Sequence, residues 1–357
     1  MTESPLLRMT QTTPTCLWND SADPDELAQS ISWGAVGATC NPVIALAALK
    51  AHQARWSDEI RAYAAANPVA TDDQIGWAMV QRLSVEVAEM LLPAFREHKG
   101  VNGRLSIQTD PRLHRDTSAL VEQAYEFSQL APNMIVKIPV TSQGVEAFEE
   151  ATYRGVSLNA TVSFTVAQAV AVGEAVERGL RRREKEGLDV DTMGPVCTIM
   201  VGRVDDWMKA SADKEKITVD PGIMEWAGVA VFKKAYQIYT ERGFRARLLS
   251  AAFRNHMHWS QLIGGSIVIS PPFAWQQRLN RSGIEPRPTL EEPVSPHIVD
   301  ALYSNFAEFR KAYDVDALRP EEFSDYGATR RTLRGFLAAN NQLEGFVRDI
   351  TVPDPDR

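Results

Sequence analysis

Through most of this chain, short apolar runs bounded by turn residues alternate with longer stretches of helical periodicity. Candidate strands occupy residues 16–20, 35–41, 104–109, 134–139, 156–164, 196–202, 247–252 and 266–270. Between them lie amphipathic segments at 71–92, where Ile75, Met79, Leu83 and Val87 share one face, and at 117–129, 142–151, 166–183, 221–242 and 256–262. Strands that alternate with helices pair in parallel, because each crossover needs a helix to return the chain. Eight strands within 357 residues, with no Pro/Gly/Ser linker dividing them, suit a closed barrel better than an open doubly wound sheet. No GxGxxG follows the first strand. The expected fold class is therefore α/β, a (β/α)8 TIM barrel with appended C-terminal helices. Residues 1–15 form an N-terminal extension, 16–292 the barrel, and 293–357 a C-terminal helical extension packed on it, with helical patches at 297–313 and 328–338. The mixed-charge run 178–186 reads as a solvated helix end.

Charge and cysteine content narrow the function. With 38 Lys plus Arg against 46 Asp plus Glu, the net charge of -8 gives no general positive field for nucleic acid or an anionic membrane. An anionic ligand would need a local Arg or Lys cluster. Cys16, Cys40 and Cys197 form an odd set without CxxC or Cys/His spacing, which suggests neither a disulfide framework nor a zinc site. Residues 1–15 lack the apolar run of a signal peptide, and no stretch is apolar enough to span a bilayer. A cytoplasmic protein without membrane or nucleic-acid partners is expected.

Side chains alternate between the two faces of a strand, and in a barrel both faces are largely buried, so polar residues of one parity are informative. Arg104, Ser106, Gln108 and Asp110 share one parity on the third strand; Ser157, Asn159, Thr161 and Ser163 share one on the fifth. Both sets are expected to face the barrel interior. The fourth strand carries a single lysine, Lys137, in an apolar run. Burial disfavours an ammonium ion and makes a neutral amine available to attack a carbonyl, although a lone strand lysine also snorkels to a sheet edge or pairs with a carboxylate.

Lys137 is not isolated. Asp20 in Leu17-Trp18-Asn19-Asp20, the string Gly37-Ala38-Thr39-Cys40-Asn41-Pro42, Val136-Lys137-Ile138-Pro139, Asn159-Ala160-Thr161, Val201-Gly202-Arg203 with Asp205-Asp206, and Ala252-Phe253-Arg254-Asn255 occur in that order. Over roughly residues 16 to 275 the chain resembles the transaldolase family. The resemblance implies a metal-independent class I Schiff-base transferase of carbohydrate metabolism and the pentose phosphate pathway. Such an enzyme moves a dihydroxyacetone unit between sugar phosphates with no cofactor, and homo-oligomerisation is compatible with it. By the same resemblance Lys137 forms the imine, Asp20 is the acid/base carboxylate, and Thr161 helps orient the water of imine formation and hydrolysis. Thr39, Asn41, Asn159 and Thr198 hold the three-carbon unit, and Arg203 and Arg254 clamp the phosphate. Asp205 or Asp206 could instead occupy Arg203 in a salt bridge.

Three positions depart from the family pattern. Gln108 stands where transaldolases carry a relay glutamate, and an amide can hold a water but cannot take its proton. Fructose 6-phosphate aldolases also carry Gln there but add a sixth-strand tyrosine where transaldolases have phenylalanine; this chain has Met200. Ala252 replaces a phosphate-binding serine. The alternatives to transfer are an aldolase that releases dihydroxyacetone to water, and a sugar-phosphate-binding barrel with little turnover.

Overall fold

A computed structural model describes residues 4–356. Eight parallel strands close into one barrel in chain order: β1 (Cys16–Asn19), β2 (Ala35–Thr39), β3 (Arg104–Gln108), β4 (Met134–Pro139), β5 (Leu158–Thr161), β6 (Val196–Ile199), β7 (Arg247–Ala251) and β8 (Val268–Ser270). β8 pairs back onto β1, so no strand edge is left open. Inside the barrel Trp18, Ile135, Val196, Leu249, Ala251 and Val268 form a small apolar cluster of their own. Gly37 makes room for it, since a Cβ there would sit 2.5 Å from the Trp18 ring. The much larger core lies between the strands and the surrounding helices.

Sequence chemistry sets the crossovers. Thr71 and Gln74 form a reciprocal capping box at the start of the Asp72–Glu97 helix, and Asn41, followed by Pro42 at the first helical position, caps the Pro42–Ala51 helix. Two helical expectations are corrected. The segment 221–242 is two helices, Pro221–Met224 and Ala227–Arg242, and 297–313 is likewise Pro296–Asn305 and Ala307–Tyr313, separated by the extended Phe306.

The fifth and sixth strands are shorter than their apolar runs suggest, for local reasons. Val162 takes a left-handed backbone (φ 56), which ends β5 after Thr161. That conformation strains a β-branched residue by about 1–3 kcal/mol and persists only where its surroundings dictate it. Here Gln168 dictates it, donating to the carbonyls of Val140 and Val162 and accepting from the Phe164 N–H. The turn also breaks the expected parity: Ser163 lies beside the outward-facing Cys197 rather than in the barrel interior. Asp110 leaves the barrel as well, capping the Pro111–Leu113 turn and pairing with Arg112. β6 stops at Ile199 because the helix Val201–Glu215 starts immediately afterwards.

Past the last strand, the chain ends in the helix Gly327–Thr351, which packs against the helices Pro42–Ala51, Gln53–Ala66 and Asp72–Glu97 and reaches Val201–Glu215 and the turn after β3. It thus lies over the C-terminal mouth of the barrel, where active sites form in this architecture. At the other end of the chain, the Pro5–Thr12 helix buries Leu6 and Met9, and the Trp259 indole N–H donates to the Met9 sulfur. Among the described residues no helix is long and apolar enough to cross a membrane.

Candidate active site

Lys137 projects into the barrel from β4 and is 5% exposed. Its strand neighbours in register are Gln108 on β3 and Asn159 on β5. The ammonium makes no hydrogen bond or ion pair among the described residues. Burial pulls the Lys137 pKa down, and the Arg203 charge adds to this; Asp20 and Cys40 oppose it. The result is the amine a carbonyl addition needs, less protonated than a surface lysine and held at a fixed place.

Asp20 follows directly on β1, and its carboxylate accepts a hydrogen bond from Thr39 Oγ1 at 2.5 Å. Thr39 therefore orients the carboxylate that faces Lys137. Farther round, Asn159 Nδ2 donates to Ser106 Oγ at 3.0 Å while its Oδ1 accepts from Thr198 Oγ1 at 2.7 Å. This chain crosses β3, β5 and β6 inside the barrel, and all three residues are buried. Of the polar faces read from the sequence, Ser106, Gln108, Asn159 and Thr161 gather at this end. Arg104, bonded to the carbonyls of Gly100, Met134 and Thr192, and Ser157, which accepts from the Gly194 N–H, lie where the strands begin, and Asp110 and Ser163 leave the barrel. Thr161, 2% exposed, lies in register with Pro139 at the top of β4. Gln108 Oε1 is buried without a hydrogen-bond partner, an acceptor beside Lys137 left for a small polar molecule. Asn41 Oδ1 accepts the backbone N–H groups of Val43 and Ile44, so helix capping occupies that oxygen.

The two arginines are placed by a close approach of backbone. A Cβ at Gly202 would lie 1.9 Å from the Ala252 carbonyl oxygen and 2.8 Å from Arg254 Cγ, so only glycine lets the turn after β6 meet the loop after β7. Ala252, where a serine was missed, has a left-handed backbone (φ 63). Arg203 Nη1 donates to Thr332 Oγ1 at 3.1 Å, its guanidinium lies over the Phe336 ring, and its buried Nε has no partner. The expected alternative, a salt bridge from Arg203 to Asp205 or Asp206, does not form. Asp206 instead takes Arg254 through a bidentate pair, Nη2 to Oδ2 at 2.7 Å. Asp205 is wholly buried and accepts from His258 Nε2 and from the Gly228 N–H, each at 2.8 Å. His258 Nδ1 in turn accepts the backbone N–H of Arg254 at 3.1 Å, which fixes the ring as the Nε2–H tautomer.

A family model described as Transaldolase/Fructose-6-phosphate aldolase matches residues 17–324. The chain belongs to that family. It is 32% identical to the transaldolase of Thiobacillus denitrificans over 256 residues, 65% of this chain and 70% of that protein. It is 29% identical to the transaldolase of Saccharomyces cerevisiae over 318 residues, 85% of each chain. Transaldolase A of Pasteurella multocida is 29% identical over 321 residues, 87% of this chain and 89% of that protein. Family membership rests on this match; the strand-end motifs had suggested it, but Thr332 and Phe336 had not been singled out. They lie on the appended helix, where the only signal was a general amphipathic pattern. His258, four residues after Arg254, carried no motif either.

Proposed function

We propose that this chain transfers a dihydroxyacetone unit between sugar phosphates through a Schiff base on Lys137. Family membership makes it a transferase of the Schiff-base aldolase class. The observation that carries the assignment of residues is Lys137 itself, a buried, unpaired amine with a lowered pKa, facing the Asp20 carboxylate across the barrel mouth.

The neutral amine adds to the ketose carbonyl, and the carbinolamine, taking up one proton from solvent at its hydroxyl, loses water to leave a protonated imine. Asp20, oriented by Thr39, takes the C4 hydroxyl proton as the C3–C4 bond breaks, and the bonding electrons pass into the imine to give an enamine. The aldose phosphate leaves. The enamine then attacks the aldehyde of a second aldose phosphate, Asp20 returns the proton, and hydrolysis frees Lys137. Asn159, fixed by Ser106 and Thr198, presents its amide to the hydroxyls of the three-carbon unit, together with Asn41 and Thr198. Thr161 and Gln108 hold the water that leaves and returns; the unpartnered Gln108 oxygen can accept one of its protons in a hydrogen bond but cannot remove it. Arg203 and Arg254 face the phosphate end. A cytoplasmic location suits the three free thiols Cys16, Cys40 and Cys197.

Incubation with fructose 6-phosphate and borohydride, followed by peptide mass mapping, tests the reading. A secondary amine on Lys137, absent from Lys137→Met, is the expected outcome. An adduct on another lysine, or equal trapping by Lys137→Met, would refute it.

A further inference from the structure

The C-terminal helix Gly327–Thr351 presents two faces near its start. Thr332 and Phe336 touch the Arg203 guanidinium, whereas Arg330, Leu333, Arg334 and Leu337 follow the i, i+3, i+4, i+7 spacing of a separate face. That second face lines a groove of about 700 Å³, shared with Arg115 in the turn after β3 and with Ser142 and Gln143 after β4. Neither Lys137 and Asp20 nor Arg203 and Arg254 line it. Three guanidinium groups thus meet in one groove of a chain whose net charge is -8. Arg115 and Arg334 are exposed and make no hydrogen bond or ion pair among the described residues. Arg330 has one carboxylate, Asp325, at 3.7 Å, and the two side chains are 64% and 80% exposed, a loose pair that holds neither partner firmly. His114, also in the groove, donates its Nδ1–H to the Pro111 carbonyl at 2.8 Å, so the neutral ring has no second N–H to offer.

Other arginines of this surface are spent on carboxylates, as in the bidentate pairs of Arg55 with Glu86 and of Arg245 with Glu177. Those of the groove keep the same donors unspent, and their gathered like charges are relieved when a dianion enters. The backbone adds two more donors. The Ser142–Tyr153 helix begins at the groove, and its cap, Thr141 Oγ1, takes only the Gly144 N–H. The Ser142 and Gln143 N–H groups are left without an acceptor among the described residues, and such groups favour an anion. Ser142 Oγ donates to the Pro320 carbonyl at 2.8 Å, which anchors the turn Pro320–Asp325 beside this helix start. We propose that the groove is a second anion-binding site, separate from the transferase centre, which takes a phosphate dianion, free or as the monoester of a small metabolite. Its volume suits a ligand of that size, and three arginines against one loosely held carboxylate supply the charge. The proposal goes beyond the transferase reading and stands without it. Its ligand bridges the C-terminal helix and the turn after β4, the strand of Lys137.

Calorimetry with inorganic phosphate and with glycerol 3-phosphate tests the proposal on the wild type, on Arg203→Ala and on the double variant Arg115→Ala with Arg334→Ala. The groove arginines are exposed, so their removal leaves the core intact. The wild type should titrate two phosphate sites and the double variant one. In Arg203→Ala the groove site should persist, and adding the two groove substitutions should weaken it roughly tenfold or more, as loss of charged hydrogen bonds implies. KM for fructose 6-phosphate should be unchanged in the double variant. Tighter binding of glycerol 3-phosphate than of phosphate at the groove assigns the site to a phosphate ester; equal or weaker binding assigns it to free phosphate. A double variant that titrates like the wild type would overturn the proposal, as would an Arg203→Ala protein that folds yet binds no phosphate. A rise in KM that parallels the lost phosphate affinity would also sink it, because the arginines would then serve the active site. Arg331→Ala removes the same charge from the same helix outside the groove and should keep most of the groove affinity; a loss equal to that of Arg334→Ala alone would reduce the site to a general positive field.

Discussion

Lys137 and Asp20 influence each other in opposite senses during one turnover, and this makes their separate contributions measurable. The Asp20 charge favours the ammonium form of Lys137, against burial and Arg203. Asp20→Asn should therefore move the rising, acid-side limb of imine formation to lower pH, because the amine loses its proton more readily. Carbon–carbon cleavage should fall by about 10²–10⁴-fold, the usual worth of a positioned acid/base group. Single-turnover rates read by borohydride quench at several pH values separate the two steps. A limb that stays in place would mean that Asp20 does not act on the Lys137 charge. Gln108 poses the complementary question. If it only holds the relay water, Gln108→Glu supplies a base beside Lys137 and should speed imine exchange. If the pocket is built around a neutral group, the new carboxylate is desolvated, its pKa rises, and the rate falls. An unchanged or lower rate with every ketose tried would remove residue 108 from the proton relay.

At the level of elements, the loop after β7 is held by a buried pair on the neighbouring helix, and this contact should be visible as pH dependence. Asp205 accepts on both oxygens, from the Gly228 N–H and from His258, and His258 passes the constraint to the Arg254 backbone. Asparagine has one acceptor oxygen and cannot satisfy both, so Asp205→Asn should loosen the loop and raise KM for sugar phosphates more than it lowers kcat. Burial pushes the Asp205 carboxyl up to about 6, against ~3.9 for an unfolded aspartate. Between those values the folded protein holds more protons than the unfolded chain. The contribution is present on the acid side and is lost as pH rises through about 6. Denaturation midpoints of the wild type should show this slope and those of Asp205→Asn should not; parallel profiles would contradict the assignment. The strands themselves were legible from the chain because each is a short apolar run between turn signals, and β4 matches its run at both ends. The ends of β5 and β6 were not, because Val162 stays apolar where its backbone turns and Val201 stays apolar where a helix begins. The site was legible to the same depth: Asp20, Lys137, Asn159 and Arg203 sit at strand ends with recognisable neighbours. The partner of Arg254 and the contacts of Arg203 depend on packing between distant elements, which no local pattern encodes.

Across the whole molecule, one helix serves both the core and the mouth of the barrel, and the two roles should separate by position along it. Near its start, Thr332 and Phe336 hold Arg203; farther on, Leu343 and Val347 are buried against the Asp72–Glu97 helix, where Leu343 Cγ lies 3.1 Å from the place a Cβ would take on Gly76. Thr332 and Leu343 are eleven residues apart, about 16 Å along a helix, beyond the range at which substitutions usually couple. Leu343→Ala should lower the unfolding free energy by ~2–5 kcal/mol, through lost burial and a residual cavity, with KM for fructose 6-phosphate unchanged while the protein is folded. Thr332→Val keeps a similar shape but offers Arg203 no acceptor, so it should raise that KM while stability changes less. The double variant should then show the sum of both effects in each measurement. If Leu343→Ala alone raises KM as much as Thr332→Val does, the helix moves as one body over the mouth. Sugar-phosphate binding would then report on how firmly the whole helix is seated, and the orientation of Arg203 would be only one consequence of it.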